Sequence, residues 1–390
     1  MTAASAFVEE LRGWLDVHAP TTEEMREPHR SSGHLPEWAR TWQQRLFAAG
    51  WLVPEWPTGL GGRNATPEQV LAYREELARR GLPRALNPLG LDTVAPSLRE
   101  HGDDAQRERW LLPTLRGLIT WCLGMSEPDA GSDLGALRTR ADLREDGWHI
   151  SGQKVWTSGA QDADWCLCYV RTEPDAPKHR GISVLAVDMR APGITVRPLP
   201  ELNDGFAADF NEVFFDDVVV APDALIGRRG QGWSIALGSL EHERAMLWLI
   251  YQDQLAAGVQ ALVELGRARP DIGADPRFRD AVATGYVDSM AMGALGRLGL
   301  AKVVRGEEAP EHTILKVFGS EAAQRVLDIG CQWTGVDAFD LDQVPDTVVQ
   351  LQPGSWESAW MQSFAHTIAG GTSEIQRTLI AERVLGLPRS

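Results

Sequence analysis

The spacing of apolar residues changes twice along this chain, and this change limits the possible fold more than any other feature. Apolar residues recur at helical spacing over residues 36–118, alternate with period two over residues 119–227, and return to helical spacing from residue 232 onward. We therefore expect an α+β chain with an N-terminal helical domain at 1–119, a middle β domain at 120–228 and a C-terminal helical domain at 229–390.

Local patterns give several elements of these domains. Thr66 and Gln69 have the spacing of a capping box, which predicts the start of a helix, and Gly81 is a natural left-handed end for it. Apolar and other residues alternate at 165–170 and 182–187, which predicts two strands. The polar stretch 268–276 interrupts the later helical pattern, so we expect a connection between two helices there.

The charge balance excludes some classes of function. The 390 residues include 38 Lys and Arg against 54 Asp and Glu, for a formal net charge of −16, which disfavours nucleic-acid binding. No apolar run approaches the roughly 20 residues that cross a bilayer, and we expect no membrane partner. The N-terminus lacks the pattern of a signal peptide, and the four cysteines favour neither disulfides nor zinc, so we expect a cytoplasmic protein.

A first candidate site is the stretch Gly124 to Asp133, which has the sequence GMSEPDAGSD. Its small residues and turns let main-chain N–H groups point outward together, which suits a polar ring edge or a pyrophosphate. A plain surface loop remains the alternative, because such N–H groups also cluster in ordinary turns.

A second candidate site is the stretch Gly152 to Gly159. If it is a strand, Trp156 and Ser158 lie on the same face and present an indole plane beside a hydroxyl group. A flavin ring would use both. With 15 tryptophans in the chain, the alternative is an indole buried in the core.

Two further candidates lie in the C-terminal part. Gly370 and Gly371 precede a helix for which Ser373 is the predicted N-cap, so unpaired N–H donors are expected there, with a flexible lead-in to the helix as the alternative. Glu243 and Arg244 lie in a helical pattern beside an apolar run, where acidic residues usually form the solvated face.

Taken together, these stretches resemble the acyl-CoA dehydrogenase family over essentially the whole chain. The loop Met125 to Asp133 is similar to the family's first signature, and the Trp156 and Gly370 stretches match independently. The resemblance implies an N-terminal helical domain, a middle β-barrel-like domain and a C-terminal four-helix-bundle domain. FAD is then expected between the middle and C-terminal domains.

The resemblance also implies roles for individual positions. The implied FAD-binding residues are Leu123, Met125, Ser126, Gly131, Ser132, Trp156, Thr157, Ser158, Thr372 and Glu374. Trp156 would cover one ring face, and Ser158 would hydrogen-bond to N5. Ser132, Arg244 and Gly370 are the implied substrate-binding residues. The implied reaction is α,β-desaturation of an acyl thioester, which needs a base for the α proton and donors at the thioester oxygen.

The chain departs from the commonest family pattern at the base. Many members carry the catalytic glutamate directly before Gly-Thr-Ser, where this chain has Gly370. A minority places the glutamate directly before an arginine on a helix, and Glu243 before Arg244 resembles that arrangement. We therefore predict Glu243 as the catalytic base.

A second departure concerns assembly. The Phe-Gly pair that reaches the FAD of a neighbouring subunit in homotetrameric members is missing from residues 265–279. The expected partners are acyl-CoA or an acyl carrier protein thioester, an electron-transfer flavoprotein, and either copies of the chain or a related subunit in a heterotetramer. The alternatives are a non-catalytic partner subunit, an acyl-CoA oxidase, or a dehydrogenase of carrier-protein thioesters.

Overall fold

The chain is described by a computed structural model that covers residues 3–27, 29–202, 209–307, 309–340 and 354–388. The side chains of residues 3, 4 and 239–247 lie outside the described part. The chain forms two compact units, Met1–His242 and Glu243–Ser390, and each is described by itself.

The first unit begins with helices. They are α1 (Ala3–His18), α2 (Glu37–Ala48), α3 (Pro67–Arg79), α4 (Ala95–His101), α5 (Asp104–Gln106) and α6 (Leu112–Leu115). The predicted capping box is confirmed, because the Thr66 hydroxyl accepts from the Gln69 amide and the Gln69 side chain accepts from the Thr66 amide. The helix ends at Arg79, and Gly81 has a φ of 65° as expected for a left-handed cap.

The rest of the first unit is a β-sheet domain. Its strands are β1 (Trp121–Gly124), β2 (Arg140–Arg144), β3 (Gly147–Lys154), β4 (Trp165–Arg171), β5 (Ile182–Asp188), β6 (Ile194–Pro198), β7 (Asn211–Val220) and β8 (Leu225–Ile226). The sheet order is β6-β7-β3-β2-β4-β5-β8, and β1 pairs in parallel with β4. The two strands predicted from alternation are therefore β4 and β5, which pair antiparallel.

The second unit is a helical bundle. Helix α7 (Gly232–Ala268) enters it from the first unit and is followed by α8 (Pro270–Gly273), α9 (Pro276–Val304), α10 (Glu311–Thr334), α11 (Trp356–Ile368) and α12 (Ser373–Leu379). Helix α10 packs against α9 and α11. Glycines on the helices make room for large aromatic rings: a Cβ at Gly330 would lie 2.0 Å from the Trp356 ring.

These elements agree with the α+β expectation of helical, β and helical parts in that order. The connection expected at 268–276 contains the short helix α8. The predicted boundaries at 119/120 and 228/229 stay predictions.

Candidate functional site

The loop after β1 carries the first group of predicted cofactor residues. Strand β1 is buried beside β4, with Leu123 paired to Leu167, so the chain emerges from the sheet core at Gly124. Met125 and Ser126 are half-buried, whereas Gly131 and Ser132 are exposed. The loop therefore runs from the core of the sheet to the surface.

A buried ion pair anchors this loop. The Lys154 ammonium donates to the Glu127 carboxylate at 2.9 Å and to the Met125 carbonyl at 3.1 Å. The side chains of Lys154 and Glu127 are 0% and 8% exposed. The main-chain amides of Arg138 and Thr139 also donate to this carboxylate, at 2.6 and 2.8 Å. Both charges of this buried pair thus have hydrogen-bond partners.

These contacts set the charge state of Glu127. Burial raises the pKa of its carboxyl group, but the charge of Lys154 and the hydrogen bonds from Thr139 and Arg138 lower it by more. The net pKa is below the ordinary value. Glu127 is therefore an anion that fixes the loop, and it is not a candidate base.

The second predicted stretch, around Trp156, is a loop and not a strand. Strand β3 ends at Lys154, so the expectation that Trp156 and Ser158 share a face through strand alternation is wrong. The hydrogen bonds that follow the strand go elsewhere: the Val155 amide donates to the Ser126 carbonyl at 3.0 Å. This bond joins the two predicted cofactor loops.

Trp156 has an unusual backbone conformation. Its φ is 58°, a left-handed value that bulky side chains rarely adopt, and its side chain is 62% exposed. Trp156 and Phe210 pack edge to face, with their ring centroids 5.9 Å apart. Strained backbone of this kind is often found at ligand sites. The structure therefore disagrees with the alternative of an indole buried in the core.

Thr157 is the buried member of the same loop. Its amide donates to the Asn211 carbonyl at 3.0 Å, and the Asn211 side chain donates back to the Thr157 carbonyl at 3.1 Å. The Thr157 side chain is fully buried, and among the described residues its hydroxyl group has no hydrogen-bond partner. A buried hydroxyl without a partner is rare in a folded protein, which favours a ligand at this position.

Ser32 and Gly33, from the N-terminal part of the chain, contact the loop Val155 to Gly159 and the segment that it bonds to. The amide and hydroxyl of Ser32 donate to the Asp209 carboxylate at 2.6 and 2.7 Å, and the Gly159 amide donates to the Asp209 carbonyl at 2.8 Å. Gly33 crosses so close that a Cβ there would lie 2.1 Å from the Gly159 carbonyl oxygen. Sequence reasoning missed Ser32, Gly33 and Asp209.

The second unit carries the remaining described site residues. Gly370 and Gly371 have φ values of 65° and 101°, so both are left-handed. Thr372 is the N-cap of α12, since its hydroxyl accepts from the Ile375 amide at 3.3 Å. The prediction of Ser373 as the N-cap is therefore wrong by one residue. The Ser373 hydroxyl is buried without a partner among the residues that the structure describes.

Two side chains hold the glycine loop in place. The buried Lys316 ammonium donates to the Gly371 carbonyl at 2.7 Å, and the Gln376 side chain donates to the Gly370 carbonyl at 3.1 Å. Successive glycines have little stiffness of their own, so these donors fix the peptide planes. Sequence reasoning missed Lys316, which lies 54 residues before Gly370 on α10.

Glu374 is exposed in the first turn of α12. A hydrogen bond from its own amide, with a further one from the Thr372 hydroxyl, holds the pKa of its carboxyl group below the ordinary value. Glu243 and Arg244 lie on α7, but their side chains are outside the described part, so both assignments stay predictions.

The described ranges give no support for a metal site or a membrane-spanning helix. No group of three or more His, Cys, Asp or Glu side chains there could hold a metal ion. No helix in those ranges is long and apolar enough to cross a membrane.

Known proteins resemble this chain along its whole length. Family models for the N-terminal, middle and C-terminal domains of acyl-CoA dehydrogenases match residues 2–118, 122–218 and 230–385. Acyl-CoA dehydrogenase IpdE1 of Mycobacterium tuberculosis is 34% identical over 394 residues, which cover 100% of this chain and 99% of that protein.

Solved structures show the same similarity. The Tcur3481-Tcur3483 steroid ACAD is 29% identical with a TM-score of 0.81, covering 100% of this chain and 98% of the solved chain. The ChsE4-ChsE5 complex from Mycobacterium tuberculosis is 28% identical with a TM-score of 0.81, covering 100% and 99%. The chain belongs to the acyl-CoA dehydrogenase family, whose members are FAD-dependent oxidoreductases that act on CH–CH bonds.

Proposed function

We propose that this chain desaturates an acyl thioester between Cα and Cβ, with Glu243 as the base, and passes the electrons to an electron-transfer flavoprotein. The observation that carries the proposal is the loop Val155 to Gly159. It presents an exposed, left-handed Trp156 beside the buried Thr157 hydroxyl, which has no partner in the described part of the chain.

These residues fit FAD. An exposed indole suits one face of a flat ring, and the unpartnered hydroxyl can bond to a polar ring edge. The residues proposed to hold FAD are Leu123, Met125, Ser126, Gly131, Ser132, Trp156, Thr157 and Ser158 of the first unit and Thr372 and Glu374 of the second. When bound, FAD supplies the acceptor for the hydride that leaves Cβ.

The chain itself supplies the acid–base chemistry. Glu243 takes the α proton, and an acyl chain that excludes water from a carboxylate raises its pKa towards the range useful for a base. The main-chain N–H of Gly370 is the proposed donor to the thioester oxygen, where negative charge develops as the proton leaves. Lys316 and Gln376 support this role, because they fix the next two carbonyl groups. Arg244 and Ser132 are proposed to bind the substrate.

The role of Glu243 can be tested by flavin bleaching. Glu243→Gln should slow anaerobic bleaching by an acyl-CoA substrate by at least about 100-fold, because the amide cannot accept the α proton. Glu241→Gln is the matched control, since residues two apart on a helix face different directions. Equal bleaching by Glu243→Gln and the unmodified protein would remove Glu243 from the mechanism.

A second candidate function is that of a partner subunit that completes the FAD site of a related chain. Gly370 at the usual position of the base and the missing Phe-Gly pair favour it. Two of the solved structures described above are named for two components each, Tcur3481-Tcur3483 and ChsE4-ChsE5. Purification separates the candidates. A chain that is yellow alone and is bleached by a thioester acts as the enzyme, whereas a colourless chain that restores activity to a related subunit acts as the partner.

The electron acceptor and thioester carrier need separate measurements. Oxygen consumption with formation of hydrogen peroxide would identify an oxidase instead of a dehydrogenase. Matched acyl-CoA and acyl carrier protein thioesters, compared by kcat/KM, would identify the carrier.

A further inference from the structure

A small cavity inside the second unit is lined by residues that the proposed reaction does not use. It lies among α7, α10 and α11, and its wall is apolar on α10 and largely polar on the other two helices. The centre of a water molecule can occupy about 10 Å³ of this cavity, which gives room for about one water. The lining residues include Ala323, Val326 and Leu327 on α10, Gln254 on α7, and Gln362 and His366 on α11.

The polar side chains of the wall are not paired with each other. Gln254 is only 4% exposed, and its buried Nε2 atom has no hydrogen-bond partner among the described residues. In the ranges that the structure covers, no hydrogen bond joins Gln254, Gln362 and His366 to one another. Ser363 differs, because its hydroxyl donates to the Trp360 carbonyl at 2.6 Å. Buried polar groups are nearly always paired in folded proteins, so this set indicates a bound polar molecule.

The chemistry of the wall suits a neutral molecule. Burial, and next the charge of Lys316, lower the pKa of His366, so its imidazole is uncharged at neutral pH. A neutral imidazole has one donor and one acceptor nitrogen, and each glutamine amide also provides both kinds of group. Water can donate and accept hydrogen bonds, so it matches this set. An ion would find no opposite charge among the lining residues.

The cavity borders both segments that carry the proposed catalytic groups. Gln254 follows Glu243 by eleven residues on α7, which is about three helical turns, so the two positions lie on the same side of that helix. His366 lies on α11, about one turn before Gly370. Its ring also contacts α7, with its centroid 6.2 Å from that of Tyr251. A molecule shared by Gln254 and His366 would therefore link the helix of the proposed base to the segment with the proposed thioester donor.

We propose that Gln254, Gln362 and His366 bind one buried water molecule and that, through it, they act as positioning residues that fix the Gly370 N–H relative to the base on α7. This inference rests on the proposed function. The water accepts from the Gln254 Nε2 atom and donates to the acceptor nitrogen of His366 and to the side-chain carbonyl oxygen of Gln362. These are the three bonds typical of a buried water. Two side chains already fix the carbonyl groups of the glycine loop, and the water fixes the helix that precedes it.

The positioning role is tested by kinetics. Gln254→Met keeps the length of the side chain but removes the amide, and it should lower kcat and the rate of anaerobic flavin bleaching by about 10-fold, because the donor moves relative to the base. KM, Tm and FAD retention should change little, whereas a merely structural role would lower Tm and FAD retention together with kcat.

Two further variants and a control sharpen this test. His366→Leu should lower kcat as Gln254→Met does, and His366→Gln, which keeps a donor and an acceptor, should recover most of the loss. Gln260→Met is the matched control, because Gln260 is exposed on the same helix and bonds only to Glu264 on that helix. It should leave kcat unchanged.

A crystal structure of the holoenzyme tests the water site independently of catalysis. It should show one ordered water within hydrogen-bond distance of Gln254, Gln362 and His366, and this water should be lost in Gln254→Met. Direct hydrogen bonds among the three side chains, with no water between them, would overturn the site.

The outcomes also separate this inference from the proposed function. Unchanged kcat in both Gln254→Met and His366→Leu, or a loss of kcat that parallels a loss of Tm and that His366→Gln does not restore, would overturn the positioning role alone. If no thioester bleaches the flavin of the unmodified chain, the desaturation proposal and the positioning role fail together. The crystal structure still decides in that case whether the cavity binds water.

Discussion

Replacing Lys154 should destabilise the protein by much more than an exposed lysine would. In Lys154→Met the Glu127 carboxylate stays buried but loses the ammonium 2.9 Å away. Removing one partner of a buried ion pair typically costs about 3–5 kcal/mol. The amides of Arg138 and Thr139 still donate to the carboxylate, so we expect a loss near the lower limit, about 3 kcal/mol.

The same substitution should also weaken FAD binding. Lys154 donates to the Met125 carbonyl at the start of the predicted cofactor loop, and a methionine cannot replace that bond. We would measure the free energy of unfolding in guanidinium chloride and the ratio of FAD to protein after gel filtration. Both values should fall together, because one side chain anchors the loop and neutralises its buried charge.

Lys178→Met is the matched control, since Lys178 pairs with Asp133 at the far end of the same loop with about half of each side chain exposed. It should change the unfolding free energy by less than about 1 kcal/mol. The double variant Glu127→Gln and Lys154→Met should recover part of the loss, because no uncompensated charge remains. A loss below about 1 kcal/mol for Lys154→Met, or a double variant as unstable as the sum of the single ones, would refute the reasoning.

Further predictions concern the glycine loop, the N-terminal contact and the buried His149. Lys316→Met should lower kcat/KM by about 10- to 100-fold through misplacement of the Gly371 carbonyl, with partial rescue by Lys316→Arg, measured by steady-state kinetics. Gly33→Ala should cost about 1–3 kcal/mol and reduce FAD retention, whereas Gly13→Ala, with open space around its Cβ, should not. Hydrogen bonds with Asp146 and Asp217 raise the pKa of His149, so its stabilising contribution is complete below about pH 6.5 and is lost as pH rises through the folded-state pKa. Tm measured against pH should show this loss, and His149→Gln should remove it.

The sequence predicts correctly those structural features that depend only on residues close together in the chain. The capping box at Thr66 needs only residues three apart, and the alternation of β4 and β5 needs only the period of a strand. The first candidate loop could also be located from its glycines and turns. Its anchor was partly visible, because Lys154 and Glu127 are opposite charges in the two stretches singled out as candidate sites.

The errors lie where hydrogen bonding, and not side-chain pattern, decides the structure. Nothing in the side-chain sequence marks the end of β3. The strand stops at Lys154 because the Val155 amide bonds to Ser126 and Trp156 has a left-handed backbone. At the start of α12, Thr372 and Ser373 are both good caps, and the extended backbone of Thr372 decides between them. Such choices depend on tertiary contacts that a single sequence does not contain.

The contacts that complete the candidate sites join residues far apart in the chain. Ser32 and Asp209 are 177 residues apart, yet their hydrogen bonds hold the loop that presents Trp156. A left-handed tryptophan is unfavourable by itself, so it persists only where the surroundings leave no alternative conformation. The amides of Val155, Thr157 and Gly159 provide that restraint by bonding to two separate segments, the first at Ser126 and the second at Asp209 and Asn211. The N-terminal segment is thus part of the predicted cofactor site, and weakening its contact with Asp209 should loosen FAD before it unfolds the sheet.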